Sequence, residues 1–64
     1  MAGDGDREVY FEFVAVGSAV KVTAIDSATA IEVSVMGPAS AARADLERLA
    51  LQKLKARLDR DGAR

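Results

Sequence analysis

The sequence predicts an α+β fold, a three-stranded antiparallel meander with one C-terminal helix packed on one face, in β-β-β-α order and two layers. Aromatic and β-branched residues crowd Glu8 to Val16 (EVYFEFVAV), Ala19 to Ile25 (AVKVTAI) and Ile31 to Met36 (IEVSVM), and turn-forming residues separate these runs. From Ala41 to about Arg60 the chain changes to Ala, Leu, Arg, Lys, Glu and Gln, all good helix formers. Loop parity then collects the apolar strand residues on a single face, which leaves one face for the helix to cover.

Residues 1–7 are rich in Gly and Asp, have nothing to bury and read as a disordered lead. A single domain is expected over 8–60, with 61–64 frayed. If Gly17-Ser18 is a two-residue hairpin loop, Val16 faces Ala19, Phe13 faces Val22 and Phe11 faces Ala24. An even second loop sets Asp26 against Ile31, Ala24 against Val33 and Val22 against Val35. The two turns agree on one face made of Val9, Phe11, Phe13, Ala15, Val20, Val22, Ala24, Ile31, Val33 and Val35. The other face mixes Tyr10, Glu12, Val14, Val16, Lys21, Thr23, Ile25, Glu32, Ser34 and Met36. Gly37-Pro38 is expected to end the third strand, because proline lacks an amide donor and biases its predecessor away from helix. Ser40 is the expected N-cap, and Gly62 lies just past the helix end.

A chain of 64 residues buries only about 60% of the surface its unfolded form exposes, so its core is thin. It has neither cysteine nor histidine, which rules out a disulfide and makes a zinc staple improbable. Association is the remaining ordinary reinforcement. Nine basic and ten acidic side chains nearly cancel, but unevenly. Residues 1–40 carry two basic and six acidic groups, net −4, whereas 41–64 carry seven basic and four acidic, net +3. No apolar run approaches the ~20 residues needed to span a bilayer, and the N-terminus lacks the pattern of a secretion signal, so a cytoplasmic location is expected.

Catalytic chemistry has little to work with. The usual general base near neutral pH and the most nucleophilic thiol are both missing. Ser18, Ser27, Thr29 and Ser40 fall in turns or at a cap, where hydroxyls satisfy local backbone groups. Lys21, the only strand lysine, sits on the mixed face, where it is expected to be hydrated. Glu12 and Glu32 share that face about 9 to 10 Å apart. A flat sheet offers them no cleft, and charges on outer strands commonly discourage edge aggregation. Asp26-Ser27-Ala28-Thr29-Ala30 supplies too few oxygens for calcium and reads as a turn. Gly3 and Gly5 do not follow a strand and open a helix, as a phosphate loop requires. No enzyme activity, cofactor or metal is expected.

Nucleic acid binding is the alternative to be weighed. Arg43, Arg48, Lys53, Lys55, Arg57, Arg60 and Arg64 make the helix basic, and Arg48, Lys55 and Arg60 are the candidate polyanion contacts. Interleaved Asp45, Glu47, Asp59 and Asp61 weaken that reading, as does the single aromatic, Tyr10, on the mixed face. A solvated helix face with pairs such as Asp45 and Arg48 is the simpler account. No membrane partner is expected, since membrane binding by the helix would uncover the sheet.

Glu8-Val9-Tyr10-Phe11-Glu12-Phe13, Val20-Lys21-Val22-Thr23-Ala24-Ile25-Asp26, Glu32-Val33-Ser34 and Gly37-Pro38-Ala39 together resemble a family of short bacterial proteins known only as a domain of unknown function. The resemblance covers about 50 residues and implies a related fold. Some members of that family carry serine hydroxymethyltransferase labels. A pyridoxal phosphate enzyme of that kind needs a large fold, a Schiff-base lysine and a shaped pocket, for which this chain has no room. The family's pattern favours glycine where this chain has Ala30, so a turn needing positive φ is not expected there.

Leu46, Leu49, Leu51, Leu54 and Leu58 spread over roughly 200° of the helix, more than one small sheet requires. Leu46, Ala50 and Leu54 are expected as the inner row against Phe11, Phe13, Val22 and Val33. Either Leu49 or Leu51 must then point elsewhere, while Lys53 and Arg57 snorkel at the edge of the arc. The surplus points to a non-enzymatic homodimer, an interaction or regulatory module with an unidentified protein partner. Its candidate interface is Leu49, Leu51, Leu58 and Tyr10, with the edge of the first strand.

Overall fold

The computed structural model describes residues 8–62; the expected lead, 1–7, and the end of the expected frayed tail, 63–64, lie outside the described residues. Strands β1 (Val9–Val16), β2 (Ala19–Asp26) and β3 (Glu32–Pro38) precede one helix, α1 (Arg43–Arg60). The strands form an antiparallel sheet in the order β1-β2-β3, and α1 covers one face. Phe13 lies opposite Val22, Phe11 opposite Ala24, and Val33 and Val35 opposite Ala24 and Val22, the expected register in both hairpins. Gly17 takes φ +61 at the first loop position, the conformation that a two-residue hairpin with glycine there requires.

The core consists of Val22, Ala24, Val33, Leu46, Ala50, Leu54 and Leu58, with Val9, Phe11, Phe13, Val20, Ile31, Val35 and Ala41 packed around it. Leu46, Ala50 and Leu54 form the inner row of α1 as expected, and Leu58 extends it by one more turn. Close approach of helix to sheet depends on Gly37. A Cβ on that residue would lie 2.5 Å from Leu46 Cδ2, so any side chain there would displace the leucine.

Two boundaries differ from the expectation by two residues. The third strand continues through Gly37 and Pro38, which lie opposite Val20 and Ala19, and Ala39 N–H donates to the Ser18 carbonyl at 2.9 Å. Proline is tolerated there because β3 is an edge strand, where an absent N–H costs no ladder bond. The helix also starts later. Ser40 is used in the turn that Ala41 N–H closes onto the Pro38 carbonyl at 3.0 Å, and the N-cap is Ala42, which makes no side-chain cap bond. Asp45 in the first turn and Arg57 and Arg60 in the last complement the helix dipole instead.

The second loop corrects the expectation at Ala30, which does adopt positive φ, +64. Four residues join the paired Asp26 and Ile31. Ala30 N–H donates to the Asp26 carbonyl at 2.8 Å and Asp26 N–H to the Ile31 carbonyl at 2.9 Å, so the chain must turn left-handed at Ala30 to re-enter the sheet. The carboxylate of Asp26 accepts from Thr29 N–H and Oγ1, and Thr29 Oγ1 accepts from Ile31 N–H. These bonds hold both neighbours of Ala30 and impose its conformation. A left-handed alanine costs about 1–2 kcal/mol, partly recovered through the lower chain entropy of unfolded alanine relative to glycine. Ala30→Gly should therefore stabilise the domain by about 1 kcal/mol and raise the melting midpoint by roughly 4–8 °C, as measured by thermal denaturation followed by circular dichroism.

Candidate functional site

The helix packs over β2 and β3 rather than over β1. The helix-side residues of β1 therefore lose their cover progressively: Val9, Phe11 and Phe13 are half-buried and Ala15 is exposed. Beside Ala15 lies a groove of about 330 Å³ lined by Phe13, Ala15, Val20, Ala39, Arg43 and Leu46. The Arg43 guanidinium sits 4.1 Å from the centre of the Phe13 ring, a cation–π contact that roofs one end of the groove. On the opposite sheet face β1 presents Tyr10, Val14 and Val16, each between 42% and 55% exposed.

The outer edges of the sheet differ. Ser27 N–H donates to the Glu8 carbonyl at 2.9 Å, so Glu8 turns its backbone groups towards β2. Alternation along the strand sends those of Tyr10, Glu12, Val14 and Val16 the same way and aims those of Val9, Phe11, Phe13 and Ala15 outwards. On β3 the outer edge is blunted: Lys53 Nζ donates to the Ser34 carbonyl at 2.7 Å, and Pro38 has no N–H to offer. Lysine and proline are common protections of exposed edges. Among the described residues, β1 combines an outward-facing backbone with incompletely covered apolar side chains.

The candidate interface residues separate. Leu58 is 6% exposed and belongs to the core, because i, i+4 spacing carries the inner row on from Leu54. Leu49 is 53% exposed and lies about 40° from Lys53 around the helix, on the β3 side. Leu51 is half-buried, and about 160° from Lys53 it falls on the flank towards β1. Lys53 and Arg57 behave as edge-snorkelling cations, Lys53 on the Ser34 carbonyl and Arg57 on Asp61 at 2.9 Å. Arg48 and Lys55 share one helix flank, but Arg60 lies about 140° from Lys55, so the three candidate polyanion contacts do not form one patch. Arg48 pairs with Asp45 at 3.1 Å, an exposed contact of little energetic weight. Glu12 and Glu32 are exposed on the outer strands.

Tyr10, 55% exposed, donates its hydroxyl to Glu8 Oε1 at 2.7 Å. That hydrogen bond, reinforced by the carboxylate charge and then by slight desolvation, raises the phenol above its ordinary pKa. The neutral phenol is the favoured form, so the contribution is present below the ordinary phenol range and is lost as pH rises through the raised value. Glu8→Ala should move the Tyr10 titration back down, which the phenolate absorbance band will report.

A family model described as Domain of unknown function (DUF6898) matches residues 6–61. The chain belongs to this family. The DUF6898 match takes in all three strands, both hairpins and all of α1. No curated protein and no solved structure matches the chain. The DUF6898 description assigns no activity to any residue, which leaves the uncovered flank of β1 as the feature to explain.

Two features of this surface were not anticipated from sequence. The groove arises because the helix starts two residues late and crosses towards β3, and neither displacement is visible in periodicity. The buried Asp26 had a signal: it has the same strand parity as Val20, Val22 and Ala24, so its side chain must enter the helix-covered face. No helix among the described residues is long and apolar enough to cross a membrane.

Proposed function

We propose that the chain is a small non-enzymatic interaction module that works as a homodimer. The observation that supports this most directly is the state of β1. Its apolar underside is only half covered by its own helix, its backbone edge is open, and Leu51 stands on the adjacent flank. A 64-residue chain without disulfides gains most by closing such a surface against a second copy. The composition, free of cysteine, accords with a reducing cytoplasm, and the family resemblance with a bacterial setting.

Light scattering coupled to a sizing column tests the proposal. A mass of two chains is expected at micromolar concentration, and a well-folded monomer would overturn the reading. The two leucines sharpen the test. Leu51→Lys introduces a charge on the β1 flank and should dissociate the dimer or unfold the protein, whereas Leu49→Lys on the β3 side should leave mass and helicity unchanged. Equal responses from the two variants would count against a β1-side interface.

A further inference from the structure

We propose that two copies pair antiparallel through β1 with Phe13 on the two-fold axis, forming a six-stranded sheet in which each Phe11 packs over the partner's Ala15 at the mouth of its groove. This rests on the homodimer reading and adds the geometry which that reading leaves open. The choice of edge follows from the difference between the two: the β3 edge is occupied at the Ser34 carbonyl by Lys53, while Val9, Phe11, Phe13 and Ala15 direct their backbone groups outwards from β1.

Symmetry limits the register. An antiparallel pair related by a two-fold axis perpendicular to the sheet places facing residues on the same sheet face, so a residue must lie on the axis. It also puts both helices on one side of the sheet, where their Leu51 flanks face each other across the paired β1 strands. Centring on Glu12 or Phe13 aligns seven of the eight β1 residues, and the next centres out, Phe11 and Val14, align only five. Centring on Glu12 sets two glutamates directly opposite in a close, non-hydrogen-bonded pair, which like charges disfavour. Centring on Phe11 leaves Val14, Ala15 and Val16 without a β1 partner, and centring on Val14 does the same to Val9, Tyr10 and Phe11. Centring on Phe13 pairs exposed Tyr10 with exposed Val16 and shields Val14 against the stem of Glu12. On the helix side it sets the large Phe11 against the smallest side chain of the strand, Ala15, beside a groove of about 330 Å³. Large opposite small is the complementarity that a close-packed interface needs.

Cysteine cross-linking tests this geometry on a chain that has no native cysteine. Full-length Glu12→Cys and Val14→Cys proteins are mixed, allowed to exchange and oxidised. In the Phe13-centred register, positions 12 and 14 of opposite chains face each other at about 4.5 Å between Cα atoms, within disulfide reach. Two copies of position 12 stand roughly 8 Å apart, which is out of reach. The expected product is the mixed disulfide. A predominant disulfide between two Glu12→Cys chains would overturn the register. A dimeric mass with neither cross-link would overturn the β1 interface while leaving the homodimer intact, and a monomeric mass would overturn both readings. Ala15→Pro gives a second arm. It removes an outward N–H that β2 does not use, so the intrachain ladder is kept, while the bond to the partner's Phe11 is lost twice by symmetry. Dimer dissociation should rise by roughly 10- to 100-fold with the far-ultraviolet dichroism retained. An Ala15→Pro protein that dimerises as tightly as the parent would overturn the inference.

Discussion

Leu54→Ala is expected to leave the domain largely unfolded at ordinary temperature. Leu54 is completely buried at the centre of the inner helix row, between Ala50 and Leu58, over the strand core of Val22, Ala24 and Val33. Truncating a buried leucine costs about 2–5 kcal/mol, the lost transfer energy plus the cavity left behind. A domain of this size has a total stability of roughly 3–10 kcal/mol, so one side chain carries a large share of it. The core has a single layer of contact between helix and sheet, and no second layer can collapse into the void. Urea denaturation at a fixed protein concentration measures the effect, since association would make the midpoint concentration-dependent. Leu49→Ala is the control. With Leu49 more than half exposed, its truncation should shift stability by no more than about 0.5 kcal/mol. Comparable losses in the two variants would mean that α1 presents a different face to the sheet.

Asp26→Ala should be the most damaging polar substitution, with a loss of about 2–4 kcal/mol. Asp26 is fully buried, and its Oδ2 accepts from Thr29 N–H at 3.0 Å and from Thr29 Oγ1 at 2.8 Å. Alanine would deprive both donors of their acceptor and free the hydroxyl that receives Ile31 N–H at 3.2 Å. Bonds to a charged acceptor are worth about 1.5–3 kcal/mol each, and stranded donors add their own desolvation cost. The same network holds Ala30 left-handed, so its loss also releases the turn that sets the β2–β3 register. Asp26→Asn keeps an acceptor oxygen of the same shape and should lose less than half as much. The comparison of urea midpoints separates charge from geometry: equal losses for Asn and Ala would show that the negative charge, rather than the position of the oxygen, carries the effect.

Much of this architecture was legible in the residues. Period-two alternation in VYFEFVAV and AVKVTAID, with even loops between strands, is sufficient to fix which side chains share a face, because a slip of one residue would send Val9, Phe11, Phe13, Val20 and Val22 to solvent. The inner row of Leu46, Ala50 and Leu54 follows equally directly from helical spacing. What went astray was local. Ser40 resembles a cap but lies inside the turn that Ala41 closes onto Pro38, and Gly37-Pro38 resembles a stop but stays in the strand, where Leu46 packs against Gly37. At Ala30 side-chain preference was overruled by hydrogen bonds from residues on either side. The candidate interface was half legible. The leucine arc announced a surplus, but Leu58, expected at the interface, continues the i, i+4 row of Leu46, Ala50 and Leu54 into the core.

The sequence by itself determined the element order, the register of both hairpins and the apolar face that the helix must cover, since these depend on periods and loop lengths carried by the chain. Only the tertiary structure decided where across that face the helix lies. Gly37 lets α1 approach β3 and Lys53 ties it to the outer edge of that strand, so the helix covers β2 and β3 and leaves β1 half dressed. The lateral position of a helix on a sheet depends on contacts between residues far apart in the chain, which no local pattern encodes.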